Sequence, residues 1–428
     1  MNANLIHHLK ASAESVYQLI RIKQVLQVSA DEYHSRIELL RARVAETGLD
    51  VFIVTSQDSI YYLTGAGFEP LERPFFLLIR PRNLPVLLVP KLEHEHMKKA
   101  HNIREENIRT YWEYPAPHGF GWAEKLRDLI GPAKTVGVEP TLRQEIAEDL
   151  KGYSLHNEPL VERLRIVKSD TEIALIRRAA YYADLGVQRL LAASYYGSTV
   201  AEGFANTRSV NLRIIREVDN WDPLNTKVVM ATWAAPRSAK PHSVPDLNDR
   251  LLEGPHVALV LTRVNGYAAE SERTYFTTSP SQQIKGAFAA MTEARRIALE
   301  MVRPGTSCGK LDRAVNDFLH REGYYGEELR LHRTGHGFGL GNHEPPWVAD
   351  GSVDVLAENM VISIEPGIYL QGIGGLRHSD TVLVTRTGFE LLTRCPTDIQ
   401  SLTINNWKPL TRLRGWAVRR SLQLQRKR

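Results

Sequence analysis

The sequence predicts a two-domain protein of the α/β (α+β) class. Three observations carry that prediction. Short apolar runs alternate with amphipathic stretches from residue 31 to about 165, a long helix with its own start signal opens at Ser169, and histidines and carboxylates gather at the ends of the later apolar runs. The chain has 428 residues, 43% apolar and 24% charged, which excludes a disordered chain or a coiled coil and suffices to fill two cores.

The elements follow in order. Residues 1–30 are expected to be an N-terminal extension, too polar at MNANLIHHLKASAE for a signal sequence. From residue 31, Ile37, Leu40 and Val44 recur at spacings of three and four, the stripe of an amphipathic helix. VFIVTS (51–56), PFFLLIRP, PVLLVP and TVGVEP (135–140) read as strands, with RNLP as a turn, giving an N-terminal α/β domain over 31–165. Ser169 with Glu172 forms a capping box, and Ile173, Ile176, Ala180, Ala183, Val187 and Leu190 supply the apolar face of the helix that follows. A boundary near 160–168 follows, with a second domain beyond it. Within it, residues 195–206 and 303–323 share one grammar: a helix ends, Gly197 or Gly305 turns the chain, and a hydroxyl-led helix begins. The repeat suggests two similar halves. VALVLTRV (257–264), MVISIEPGIYL (360–370) and TVLVTR (381–386) read as strands.

Charge is unevenly distributed. Residues 401–428 hold eight lysines and arginines and no acid, so the rest of the chain is net −3 against +5 for the whole. This basic C-terminal tail is expected to be solvated, with Trp407 and Trp416 as the alternative means of docking. Neither a nucleic acid nor a membrane partner is expected, and no apolar string approaches a ~20-residue span. Two cysteines, Cys308 and Cys395, cannot staple a framework, so a reducing, cytoplasmic location is expected.

Five polar breaks follow or precede strands: PHSVPD (241–246), GYAAESERTYF (266–276), HRTGHGFGLGNHEPPW (332–347), ISIEPGIY (362–369) and GGLRHSD (374–380). Strand ends on a rigid scaffold can aim side chains into one pocket. The run from His336 to His343 is the most specific: three glycines let backbone approach a ligand closely, and two imidazoles can move protons or bind metal.

GHGFGLGNHEPP, SIEPGIY and GGLRHSDTVLVT, in that order, resemble the creatinase, aminopeptidase P and methionine aminopeptidase family with its pita-bread fold. The resemblance implies a creatinase-like two-domain architecture, a pseudo-twofold catalytic domain over 166–400, and a homodimer whose N-terminal domain approaches the neighbour's active site. It aligns the five metal ligands of the peptidases with Leu259, Glu270, His336, Glu365 and Ser379. Leucine and serine are poor substitutes for carboxylates, so a two-metal centre is not expected and the cofactor expectation is none, with one divalent ion on Glu270, His336 and Glu365 as the alternative.

The remaining site residues also come from the resemblance. His242, Glu270, Glu272, His343 and Glu365 are the expected catalytic groups; Arg73, His336, Arg377 and His378 are expected to bind substrate. Arg377, His378 and Asp380 have an equally weighted structural reading as an internal ion-pair network. The pattern is similar to creatinase and ectoine hydrolase. It implies a metal-independent hydrolase cleaving a C–N bond of a small charged molecule, with an Xaa-Pro dipeptidase or aminopeptidase P-like peptidase and a non-catalytic binding homologue as alternatives.

Overall fold

A computed structural model describes residues 26–69, 71–113, 115–405 and 408–424. Most of the expected N-terminal extension, and Trp407, lie outside these residues.

The helix expected from residue 31 spans Ala30–Glu46, capped by Ser29, and buries Ile37, Leu40 and Val44. The four expected strands are present as β1 (Val51–Val54), β2 (Phe76–Ile79), β3 (Val86–Pro90) and, fifth in the chain, β5 (Thr135–Val138). Two more were not expected: β4 (Ile108–Tyr111) and β6 (Ser154–Asn157), whose polar residues mask any apolar run. The six form one mixed sheet in the order β4-β3-β2-β1-β5-β6. The pleat sorts its side chains: Phe52 and Val54 join the core beneath Ile37 and Leu40, while Val51 and Ile53 pack with Leu126, Ile130 and Ile146 on the other face.

The catalytic domain opens with the helix Asp170–Ala193, whose capping box between Ser169 and Glu172 is formed. Its strands are β7 (Lys227–Trp233), β8 (His256–Val264), β9 (Tyr267–Tyr275), β10 (Gly335–Gly337), β11 (Glu344–Val348), β12 (Val361–Ile364), β13 (Gly367–Leu370), β14 (Gly374–Arg377), β15 (Ser379–Val384) and β16 (Phe389–Leu391). The main sheet runs β11-β10-β12-β15-β9-β8-β7, with β16 on β15, and β13 pairs β14 apart from it. MVISIEPGIYL, expected as one strand, is thus two. Pro366 lacks the N–H to continue a ladder, and the break leaves Glu365 at the end of β12.

The expected internal repeat is visible in the hydrogen bonds. Gly197, at φ 83°, donates to Leu251 O at 2.7 Å, and Gly305, at φ 87°, donates to Leu356 O at 2.8 Å. One turn on, Val200 donates to Asp249 O and Cys308 to Asp354 O, at 3.0 and 2.9 Å. Each half therefore secures the start of its second helix by the same backbone ladder, the pseudo-twofold of a pita-bread domain.

The C-terminal tail differs from the solvated segment expected. Residues Pro409–Ser421 form a helix held on the body. Arg419 pairs with the buried Glu202 and reaches Tyr195 Oη at 3.1 Å, and the Lys408 ammonium lies 3.4 Å from the carbonyls of Leu191, Ala192 and Ser194 at the end of the long helix. A cation is favoured at a helix C-terminus, and a buried carboxylate requires a partner. A charge count along the sequence sees the arginine but not the glutamate waiting for it.

Candidate active site

The cleft is built on one face of β8, β9 and β15. Residues two apart on a strand share a face, so Glu270 and Glu272 project together while Ser271 and Arg273 turn to the helical side. Antiparallel register sets Glu272 between Leu259 on β8 and Ser379 on β15. Glu365, at the end of β12, completes a cluster: carboxylate oxygens of Glu270, Glu272 and Glu365 all lie within 4.8 Å of one another, and all three residues are buried.

Three buried carboxylates at that spacing cannot all stay ionised without positive charge. Burial, and then the neighbouring Glu365, raise the pKa of Glu270; burial lifts Glu272 to about 8 against the pull of Arg377. Glu365 goes the other way. Burial, the largest single influence, opposes its ionisation, but His336, Arg377 and His332 together hold it below the usual carboxylate range. The Arg377 guanidinium pairs with Glu272: Nη2 donates to Oε1 at 2.6 Å, and Nε lies in ion-pair contact with Oε2.

The imidazole of His336 is 1% exposed. Its Nδ1 lies 3.1 Å from the Gly337 carbonyl, which can only accept, so Nδ1 carries a proton, and against burial Glu365 and Glu270 favour the charged ring. Nε2 faces Glu365 Oε1 at 3.2 Å but is poorly aligned for a hydrogen bond, and it is left without a hydrogen-bond partner. Three clustered carboxylates, with an orphaned buried ring nitrogen facing one of them, are a donor set that fits a divalent cation. Ser363 braces this arrangement: its hydroxyl accepts from the His336 N–H at 2.9 Å and donates to Glu365 at 3.3 Å.

The expectation of a metal-independent site with no cofactor is therefore corrected. Leu259 and Ser379 do lack carboxylates, but Glu272 lies in register with both and brings a carboxylate to the same place.

The other expected residues divide. The His343 ring lies against that of His336, centroids 3.9 Å apart and tilted by 32°, and desolvation and then His336 push its pKa down to about 4. His242 is on an exposed loop, close enough to act electrostatically on both His343 and His332. Arg73 lies on the N-terminal domain, paired with Glu72 at 2.9 Å and Glu113 at 3.2 Å. His378 turns away from the carboxylates, edge-on to Phe288, with Nδ1 by the Thr274 N–H and Nε2 by the Thr397 carbonyl. Asp380 is likewise internal, bound by Arg273 at 2.7 Å and Arg295 at 2.6 Å.

Two residues of the cleft were not singled out, although both lie within motifs that were. His332 donates from Nδ1 to the Arg333 carbonyl at 2.8 Å, which leaves Nε2 to accept from the Tyr369 hydroxyl at 2.7 Å, with Arg377 Nη1 3.5 Å away. Their place in HRTGHG and EPGIY was the available signal.

The glycines of the motif also serve another purpose than approach to a ligand. A Cβ on Gly335 would stand 2.1 Å from the Ser363 carbonyl oxygen, and one on Gly337 2.2 Å from that of Pro345. They let β10 pass between β11 and β12 and so hold His336 against Glu365. Gly337→Ala is expected to cost about 1–3 kcal/mol through forced separation of strands, read as a lower urea midpoint.

Comparison with known proteins agrees with this geometry. Metallopeptidase family M24 matches residues 176–386, and the creatinase/prolidase N-terminal domain matches 36–167. "Probable dipeptidase PepE" of Mycobacterium tuberculosis is 30% identical over 375 residues, 86% of this chain and 96% of that protein. The Xaa-Pro dipeptidase of Pyrococcus horikoshii is 29% identical over 373 residues, covering 85% and 98%. Among solved structures, dipeptidase PepE from Mycobacterium ulcerans superposes with a TM-score of 0.75 at 25% identity, covering 89% of this chain and all of that one. The prolidase from Pyrococcus horikoshii gives 0.68 at 26%, covering 85% and 99%. The relatives named here are dipeptidases and prolidases.

Proposed function

The chain belongs to metallopeptidase family M24 and carries the creatinase/prolidase type of N-terminal domain, and from that premise we propose that it is a metal-dependent dipeptidase acting on Xaa-Pro or related dipeptides. It is a hydrolase of C–N bonds. The observation that carries the metal-dependent reading is the convergence of Glu270, Glu272 and Glu365, with His336 Nε2 facing Glu365 at 3.2 Å. These four residues would hold the metal. A divalent ion bound there supplies a Lewis acid for the scissile carbonyl and activates water at neutral pH.

The chain's own groups do the rest. Glu272 stands in for the carboxylates that Leu259 and Ser379 do not provide, and Arg377 orients it. Glu365, kept ionised by His336, Arg377 and His332 against burial, is the fixed negative charge of the centre. His242, His332 and His343 surround its mouth, where His242 delivers a proton to the leaving nitrogen and the other two orient the peptide. Trp233, Pro241, Val257 and Tyr369 line a small apolar recess beside Glu272 and Arg377 that suits a compact side chain.

His242→Ala is expected to lower kcat by ~10²- to 10⁴-fold with little change in KM, measured on an Xaa-Pro dipeptide series. A homodimer is part of the same proposal. In its own chain Arg73 pairs with Glu72 and Glu113, and by the family resemblance it would meet a peptide carboxylate in the partner's cleft. Arg73→Ala should then raise KM while leaving kcat near wild type, and Arg73→Lys should recover only part of the loss because an ammonium is not a bidentate fork. An unchanged KM rejects that role. The buried free thiols of Cys308 and Cys395 support a reducing, cytoplasmic setting.

A further inference from the structure

The C-terminal helix is used by nothing in the peptidase reading, and its two faces differ. The inner face is fixed: Arg419 is paired with Glu202, Arg412 lies over the Tyr195 ring at 4.5 Å, and Gly415 packs so closely that a Cβ would meet Glu202. The outer face has Leu410 at 71% exposure, Leu413 at 63% and Trp416 at 49%, spaced three apart and hence on adjoining turns. Arg414 and Arg420 border this stripe, and the Arg420 guanidinium lies over the Trp416 ring at 5.5 Å. The sequence continues with Arg426, Lys427 and Arg428, and no acidic residue occurs after position 400.

We propose that this face is a peripheral docking surface for an anionic lipid bilayer, with Leu410, Leu413 and Trp416 entering the headgroup boundary and the flanking arginines meeting lipid phosphates and carboxylates. The charge selects an anionic partner, and the apolar stripe selects lipid over nucleic acid, because a phosphate backbone has no use for two exposed leucines. A second copy of this surface would meet it with like charge. Among the described residues no helix is long and apolar enough to cross a membrane, so the attachment is to the surface, weak and reversible.

The test is co-sedimentation of the full-length protein with phosphatidylcholine vesicles, with and without ~30 mol% phosphatidylserine. Binding should rise about tenfold or more with the anionic lipid and be lost near 1 M salt, where the Debye length falls to ~3 Å. Arg414→Glu with Arg420→Glu should abolish it, and Leu410→Ser with Leu413→Ser should weaken it about tenfold. All four positions are solvent-facing, so peptide hydrolysis in solution should not change in either variant. Absence of binding to anionic vesicles overturns the proposal, as does binding indifferent to the leucine changes. So does a shift in oligomeric state caused by these variants, which would assign the face to a second copy, or salt-sensitive capture of RNA without capture of vesicles.

Discussion

Removing divalent metal by exhaustive chelation is expected to reduce hydrolysis of an Xaa-Pro dipeptide by ~10²-fold or more, and adding back Mn²⁺, Co²⁺ or Zn²⁺ to restore it. The cause is electrostatic. Glu270, Glu272 and Glu365 share one buried space, and a divalent cation meets their combined charge far better than Arg377 and His336 do alone. Glu365→Gln should abolish metal uptake, measured by elemental analysis of the purified variant, and reduce turnover in parallel. The same analysis applied to Glu272→Gln checks the stand-in role of that residue, since a merely structural Glu272 would leave metal content unchanged. Full activity in protein shown to be free of metal would sink the reading and return the site to acid–base chemistry among its carboxylates.

Asp380→Ala is expected to give the largest loss of stability of any single change near the cleft, about 3–5 kcal/mol. Asp380 is fully buried and accepts from Arg273, Arg295 and the Thr393 hydroxyl, the last at 3.1 Å. Removing it leaves two guanidiniums facing each other, and Arg273 is itself sealed against the carbonyls of Ser379, Cys395 and Pro396. Urea unfolding checks this, with Asp380→Asn as the gentler variant that keeps one acceptor. Unchanged unfolding would mean that the arginines find water or another partner. Because Asp380 does not face the carboxylate cluster, folded Asp380→Asn should retain its metal, which separates a structural role from a catalytic one.

Much of the site was legible before the fold. Glu270, His336, Glu365 and His343 stand in motifs whose order along the chain is nearly enough to identify them, and all four converge. His378 shows the limit of that reasoning. It sits between Arg377 and Ser379 in the same polar break, yet the chain turns its ring toward Phe288 while Arg377 reaches Glu272. Adjacent residues in extended backbone point to opposite sides, so a motif names a neighbourhood but not which of its members enters the cleft. The absence of metal was inferred from two aligned positions taken singly, Leu259 and Ser379. That inference fails because strand pairing brings Glu272 to both.

Some properties rest on neighbours within about four residues: the helix from Ala30 with its Ser29 cap, the capping box at Ser169, the strands that read as apolar runs, and the paired turns at Gly197 and Gly305. The sequence by itself determined these, together with the two-domain class and the family, because caps, periodicity and turn geometry are local and the motifs are contiguous. Other properties rest on partners more than a hundred residues away. The Glu272–Arg377 pair, the brace of Asp380 on Arg273, and the capture of Arg419 by Glu202 are of this kind. Only the tertiary structure decided them, because which buried charges meet is set by strand register and helix packing across the whole domain.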